Sequence, residues 1–590
     1  MDHLSKIPDS ESENEDQRKY GFFKRDGKYF VNEYRKEDMV TKVLSNFIMQ
    51  SLFHLINGSN NSKRILVIQR NTGEISIIEV FSSEMKPDTF ETILKSVRCT
   101  FLGSAYQLKI IFAQLMDTEI EAVILNVLGW NIEYHVYVFA DAVFKNNEIL
   151  KVNNIGIIET DEKRFYLPPF GLANLNNDDF ETDKMYSYQE GTIGFEEWSN
   201  LFYQSFGTNG AIGILFLILS VFRDLVFNQV RFFPFLFLFG DFGTGKTSFV
   251  ERLLSLFGRD IIGTPLNNAT SVALSRLAST RINGLFYFKE YTSETDEKAQ
   301  DFILTAYDGA GRTTGIKSND NRTKSFPVKS GLIFDGNHLP TQKTAILSRM
   351  ILLNFEESTF REEQKLAYNQ LKSAAANGLG KVLVEILEHR ELFEDRFKEE
   401  FTINAKELKE SCKNTFPERT LNHIALLMTP AKILWNQLSF PFKFVDVLHS
   451  IIENADNQNN LLKQSSAISI FWESFSNSVK KGLIVRFDGY NSKISHFNIK
   501  ETNDSNGIMQ VKLQNIYPVY VRYCREINLQ FLDPNSLKML LTSKSNKEFL
   551  PSSQKGRGAA YTDKNFGTCY QFSYTKIDEA IYISEIEINL

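Results

Sequence analysis

A chain of 590 residues, 43% apolar and 23% charged, is too long for one hydrophobic core and too apolar to be disordered, so several globular domains are expected. Its net charge is −6, and half of that lies in residues 1–19, where six acids face three bases; this excludes a protein that attracts nucleic acid over its whole exterior. Cys99, Cys412, Cys524 and Cys569 lie far apart with no His at ligand spacing, which argues against a disulfide framework and a structural zinc and for a reducing compartment.

Residues 1–19 read as a disordered acidic tail, and without a basic-apolar signal peptide the expected location is the cytoplasm. Residues 20–188 read as an N-terminal α+β domain. Its strands are alternating runs such as "RILVIQR" (64–70), "EISIIEVF" (74–81) and "YHVYVFADAVF" (134–144), with "TFETILKSV" and "GSAYQLKIIFAQLMD" at helical spacing. An acidic, Asn-rich linker (172–184) closes it. The most apolar stretch, "AIGILFLILSVFRDLVF" (211–227), is broken by Arg223 and Asp224 and reads as a buried helix rather than a membrane span.

From 189 to 360 the pattern becomes that of an α/β nucleotide-binding core. Gly240-Asp241-Phe242-Gly243-Thr244-Gly245-Lys246-Thr247, followed by Ser248, fits G-x-x-x-x-G-K-[ST] at every position, between the buried strand "FLFLF" and the helix "TSFVERLLSLFG". The glycines let successive N–H groups turn toward one anion, and the helix adds its positive end. Lys246 is expected on the β- and γ-phosphates of ATP and Thr247 on Mg²⁺.

Hydrolysis also needs an acidic group at a strand end. "GLFYFKEY" (284–291) ends in Lys289-Glu290; Glu290 suits water activation and metal binding, but a lysine stands at 289 where an aspartate is usual. The alternative is a solvated Lys-Glu end. "GLIFDGNHLP" (331–340) ends in Asp335-Gly336-Asn337, where Asn337 can feel the γ-phosphate, or the tip is a plain Gly-Asn turn. Arg349, just before "MILLNF", can reach the nucleotide of a neighbouring subunit or be a surface cation.

Between these strands, residues 309–331 carry Arg312, Lys317, Arg322, Lys324 and Lys329 against the single acid Asp320, around the turn sequence "SNDN". A hairpin with basic flanks follows. Repeated around a ring it would line a channel for nucleic acid; otherwise it is a solvated surface hairpin.

The order of parts resembles the superfamily 3 helicases of the AAA+ class, and more closely the helicase proteins of prophages and mobile elements, whose landmarks "VLGW" (127–130), "YVFADAVF" (137–144) and "YLPP" (166–169) are similar here. The resemblance covers roughly 40 to 480. It implies a hexameric, ATP-driven motor on single-stranded or forked DNA in a bacterial cell, with Lys246, Thr247, Glu290, Asn337 and Arg349 in the ATPase roles and Lys317, Arg322 and Lys324 gripping DNA. Many relatives carry a primase, but "NNDDF" (176–180) lies in a linker and the eight His form no catalytic cluster, so priming is expected from a separate polypeptide.

Residues 361–480 read as a helical domain. Residues 481–590 read as winged-helix-like: "DPNSLKMLL" (533–541) opens with Asp as N-cap and Pro next, and Lys544, Lys547, Lys555 and Arg557 are candidate phosphate contacts, unless the domain serves protein contacts. The expectation is therefore a multidomain α/β protein with an AAA+ P-loop core, an ATP-dependent helicase using Mg²⁺. The alternatives are an ATPase remodelling a protein partner or acting in phage defence, and a nucleotide-gated scaffold with little turnover.

Overall fold

The computed structural model describes residues 7–577 apart from 36–37, 57–61, 118, 175–177, 268, 293–294, 316–322, 341–343, 357–360, 413–415, 501–506, 527–530, 544–545, 547, 553–558 and 575–576. The chain is a mixed α/β multidomain protein. It opens with helix α1 (Glu13–Tyr20), then strands β1 (Phe23–Arg25), β2 (Lys28–Arg35) and β3 (Asp38–Val43), an antiparallel three-stranded sheet. The acidic composition of residues 1–19 gave no hint of α1. Its determinants are local: Ser12 Oγ accepts from Glu15 N–H at 3.3 Å, and Glu13, Glu15 and Asp16 in the first turn face Arg18 and Lys19 in the last. Ile7 is buried, its N–H donating to Gln69 Oε1 at 2.9 Å.

Strands β4 (Phe47–Ile56), β5 (Lys63–Arg70) and β6 (Ile75–Phe81) are followed by α2 (Pro87–Ser96), α3 (Ala105–Asp117) and β7 (Glu121–Ile124). Next come β8 (Leu128–Asn131), β9 (Val136–Val138), β10 (Ala142–Lys145), β11 (Glu148–Lys151), β12 (Ile157–Glu159) and β13 (Arg164–Tyr166). One sheet has the order β12-β13-β7-β4-β5-β6, and β8 to β11 form a second. After α4 (Glu181–Lys184) comes α5 (Phe195–Val221), which begins well before the apolar run that announced it and turns sharply at Gly207. It is long and apolar enough to cross a membrane, but 72% of its most apolar window is buried inside the protein.

The chain continues through α6 (Arg223–Val230), β14 (Phe235–Gly240), α7 (Lys246–Leu254), β15 (Thr264–Pro265), α8 (Ser271–Ser279), β16 (Arg281–Ile282), β17 (Leu285–Tyr291) and α9 (Glu297–Ala306). The hairpin strands β18 (Arg312–Gly315) and β19 (Thr323–Phe326) lead to β20 (Gly331–Gly336), α10 (Thr344–Leu347) and β21 (Met350–Phe355). Five of these strands form a parallel sheet in the order β15-β17-β20-β14-β21. "FLFLF" fits its centre because both faces are covered: Leu236 and Leu238 pack toward α5 and α7, while Phe235 and Phe237 enter a second core with α8 and α9. Edge strand β21 is closed by Gln458, whose side chain bonds the backbone of Leu347, Met350 and Leu352.

Helices α11 (Glu362–Asn377), α12 (Gly380–Leu387), α13 (Arg390–Cys412), α14 (Glu418–Leu434) and α15 (Phe444–Lys480) follow. The largest core runs without a break from Leu125 in the front region through α5 and β14 to Ala455 on α15. Beyond α15, helices α16 (Leu513–Glu526) and α17 (Pro534–Leu541) pack on a small sheet of five strands, two before α16 and three after α17. Asp533 caps α17, accepting from Asn535 and Ser536 N–H. Lys544, Lys547, Lys555 and Arg557 lie outside the described residues.

Candidate nucleotide-binding site

The loop after β14 is shaped by its glycines. A Cβ on Gly240 would come within 2.0 Å of Phe355 O, and Gly243 and Gly245 hold left-handed backbones at φ 83° and 95°. Thr244 Oγ1 donates to Asp241 O at 2.8 Å and draws the loop closed. Gly245 is the N-cap of α7, and Phe249 N–H bonds its carbonyl at 3.0 Å, so the N–H groups of Lys246, Thr247 and Ser248 belong to the first turn, which has no intrahelical acceptors. Asp241, Phe242 and Gly243 are exposed, Phe242 to 96%. The result is an open anion cradle at the positive end of a helix.

Lys246 is only 8% exposed, and its ammonium donates to Gly240 O (2.7 Å), Asp241 O (2.7 Å) and Asn337 Oδ1 (3.2 Å). Burial lowers its pKa, opposed by the charges of Asp335 and Asp241. Lys246 and Asn337 are thus brought together because β20 pairs directly with β14. Glu290 is farther out: β17 lies on the far side of β20 from β14.

The end of β17 is irregular. Phe288 pairs with Phe334 and Tyr291 with Gly336, an extra residue on β17 that marks a bulge at Lys289-Glu290. Glu290 sits there at φ 62°, left-handed and exposed. Its N–H donates to Asp335 Oδ1 at 2.8 Å, and its carbonyl accepts from Asn267 Nδ2 at 3.3 Å. Lys289 Nζ lies 5.7 Å from the centre of the Tyr287 ring. The Tyr287 hydroxyl sits between Thr247 and Asp335; burial first, then the Asp335 charge, push its pKa far up.

Asp335, 7% exposed, Tyr287 and Asn267 were not singled out as site residues from sequence. The Asp-Gly-Asn tip was visible, but not that its aspartate would be the buried carboxylate of the site. The groups present fit a nucleotide triphosphate with a divalent ion: turned-in N–H groups, an ammonium, the Thr247 hydroxyl and one buried carboxylate. Among the described residues no cluster of three His, Cys, Asp or Glu could hold a metal alone, so phosphate oxygens would supply part of its shell, as suits Mg²⁺.

Arg349 is not brought to this loop. It precedes β21, where its carbonyl accepts from Phe235 N–H at the start of β14, so a strand of six residues, about 20 Å, separates it from the P-loop end. Its guanidinium donates to Ala345 O and lies 5.4 Å from the Tyr307 ring centre, with Arg419 at 5.5 Å from the same ring. The Tyr307 hydroxyl is 2.9 Å from His423 Nε2. The basic hairpin is an antiparallel ladder pairing Arg312 with Phe326 and Thr314 with Lys324. Only the backbone of Arg312 and Lys324 is described, Lys317 and Arg322 lie outside the described residues, and Lys329 is exposed.

Residues 27–325 match the family described as Domain of unknown function (DUF927). No curated protein matches the chain. Among solved structures, the SCCmec type IV Cch, described as an active helicase, is similar along nearly the whole chain. At 15% identity and a TM-score of 0.51 it covers 95% of this chain and 98% of its own, a likeness of fold. The NrS-1 C-terminal region is 14% identical over 69% of this chain and 88% of its own, with a TM-score of 0.26. The JCV helicase is 13% identical over 39% of this chain and 63% of its own, with a TM-score of 0.23.

Proposed function

This chain belongs to the DUF927 family, and from that premise we propose that it is an ATP-dependent DNA helicase of the AAA+ superfamily 3 kind, a homo-hexameric ring moving on single-stranded DNA. The observation that carries the reading is the Lys246 ammonium joined to Asn337 Oδ1 at 3.2 Å beneath a glycine-rich loop at a helix N-terminus. A group that binds phosphate and a group that senses it already touch. The whole-chain likeness to the Cch helicase supports the reading at the level of fold.

The loop N–H groups and Lys246 bind the β- and γ-phosphates, with Lys246 exchanging its carbonyl partners for phosphate oxygens. Thr247 would hold Mg²⁺, which when bound would supply positive charge at the phosphates. Glu290 orients the attacking water, and its backbone is fixed for that task from both sides, by Asp335 and Asn267. Arg349, at the end of its own sheet away from the phosphate loop, serves a neighbouring subunit's nucleotide, which requires a ring. Strand β20 joins Asn337 at one end to the hairpin, four residues before its other end, so a shift of the tip on loss of the γ-phosphate is carried to Arg312, Lys317, Arg322, Lys324 and Lys329. A separate primase and forked DNA complete the expected partners.

The test is the ATPase rate with and without single-stranded DNA. Stimulation by DNA, lost in Lys246→Ala, supports the motor. A second reading, a nucleotide-gated scaffold, is favoured by Lys289 at the strand end; absence of hydrolysis with and without DNA would select it.

A further inference from the structure

The ATPase reading leaves the carboxylate of Asp335 without a chemical task, although it is the most buried acid beside the loop. Asp335 pairs with Leu238 of β14, two residues before the loop begins. Along β20, Leu332 and Phe334 enter the core under α8 and α9, whereas Ile333 shares a core with Leu238, Tyr287 and α7. By strand alternation Asp335 lies on the Ile333 side, the side of the phosphate loop. Its charge is felt by Lys246, and the Tyr287 hydroxyl bridges the space between it and Thr247. One donor, Glu290 N–H, leaves lone pairs on the carboxylate for a cation or its bound water.

The neighbouring strand cannot supply such an oxygen. The residue of β17 on the same face beyond Tyr287 is Lys289, and its ammonium rests over the Tyr287 ring. An aspartate there would put a second negative charge beside Asp335; a lysine does not. Glu290, raised on its bulge, bonds Asp335 through its backbone N–H while its side chain is exposed.

We propose that Asp335 is the metal-positioning residue of this site, holding with Thr247 the divalent cation that accompanies ATP, in place of the carboxylate that Lys289 displaces from β17. The proposal rests on the ATPase reading and adds a division of labour to it: the inner strand β20 carries the metal-positioning carboxylate, and the outer strand β17 carries only the water-orienting Glu290.

The experiment measures binding of a fluorescent non-hydrolysable ATP analogue to the full chain, with Mg²⁺ and with a chelator, and counts bound Mn²⁺ by electron paramagnetic resonance. In Asp335→Asn, which keeps an acceptor for Glu290 N–H, the metal-dependent gain in affinity falls by roughly tenfold or more while chelator affinity is kept. Glu290→Gln keeps the gain and the Mn²⁺ while losing turnover. If Asp335→Asn does not fold, Asp335→Glu retains the charge, and a lengthened carboxylate still lowers Mn²⁺ affinity. A full metal-dependent gain in the Asp335 variant, or its loss in Glu290→Gln alone, overturns the assignment and leaves the ATPase reading standing. Wild-type protein that binds no nucleotide under either condition overturns the ATPase reading, and the assignment with it.

Discussion

Glu290 holds a left-handed backbone, which costs a residue with a Cβ about 1 kcal/mol. Asp335 and Asn267 maintain it, and no core contact needs this exposed side chain there. Strain of this kind is kept where the side chain has work to do. Glu290→Gly is therefore expected to raise stability by about 1 kcal/mol in denaturant unfolding and to abolish ATP hydrolysis. Glu290→Gln should abolish hydrolysis with stability unchanged; a Gly variant less stable than wild type would remove the strain argument. A second residue-scale effect lies at His423, buried against Tyr307. Burial, and then the nearby Arg419, lower its pKa to about 3. The unfolded chain takes up a proton near pH 6.5 while the folded protein does not, so stability rises with pH between about 3 and 6.5. Lowering the pH from 6.5 to 5 should cost about 2 kcal/mol through this group. In His423→Gln, which can still bond the Tyr307 hydroxyl, the slope of stability against pH over that window should flatten; an unchanged slope would show that His423 is protonated in the fold.

At the scale of elements, the hairpin β18–β19 is expected to hold DNA by charge. Replacing Lys317, Arg322 and Lys324 together by Ala should lower the slope of log affinity against log salt by about 2 for a single strand, with nucleotide binding retained. Equal slopes would exclude these residues from the DNA interface. The strands, the loop and the helix after it were legible because each carries its own signal: "FLFLF" is apolar on both faces, the glycines mark left-handed turns, and the basic flanks surround turn residues. Strand order was not legible, since pairing between distant segments leaves no local trace. Only the sheet order β17-β20-β14 reveals that Asn337 touches Lys246 while Glu290 stands one strand away. The parallel pairing of β21 with β14 puts Arg349 at the end of the strands away from the loop, and the bulge that turns Glu290 follows from its pairing with β20, not from its own sequence. Helix α1 failed in the other direction: composition suggested disorder, but Ser12 and the charge order along eight residues suffice for a capped helix.

At the scale of the molecule, the front region and the P-loop sheet are mechanically joined. Strand β16 adds in parallel to β8, extending the sheet β8–β11, and the same chain runs on into β17. Arg281 in β16 is buried with its guanidinium 3.6 Å from the Tyr186 ring centre. Asp224 on α6 accepts from Asn283, just after β16, and from Arg390 on α13, which stacks on Trp130 of β8 at 3.8 Å. A movement of the Lys289-Glu290 tip is thereby tied to the front sheet. Gly129 makes the joint possible: it holds φ 90°, and a Cβ there would lie 1.7 Å from Ile282 O. Gly73 is the control, with φ 87° and nothing within 4 Å of the place a Cβ would take. Both alanine variants carry the backbone strain, about 1 kcal/mol, but only Gly129→Ala must push β16 away from β8. The expected outcome is a loss of about 1 kcal/mol for Gly73→Ala with normal DNA-stimulated ATPase, against a larger loss for Gly129→Ala, a new protease-sensitive site near residues 129–131 or 281–283, and reduced DNA stimulation. If the two variants lose equal stability and keep equal stimulation, the β8–β16 pairing does not couple the front region to the ATP site, and the front sheet acts on its own partner instead.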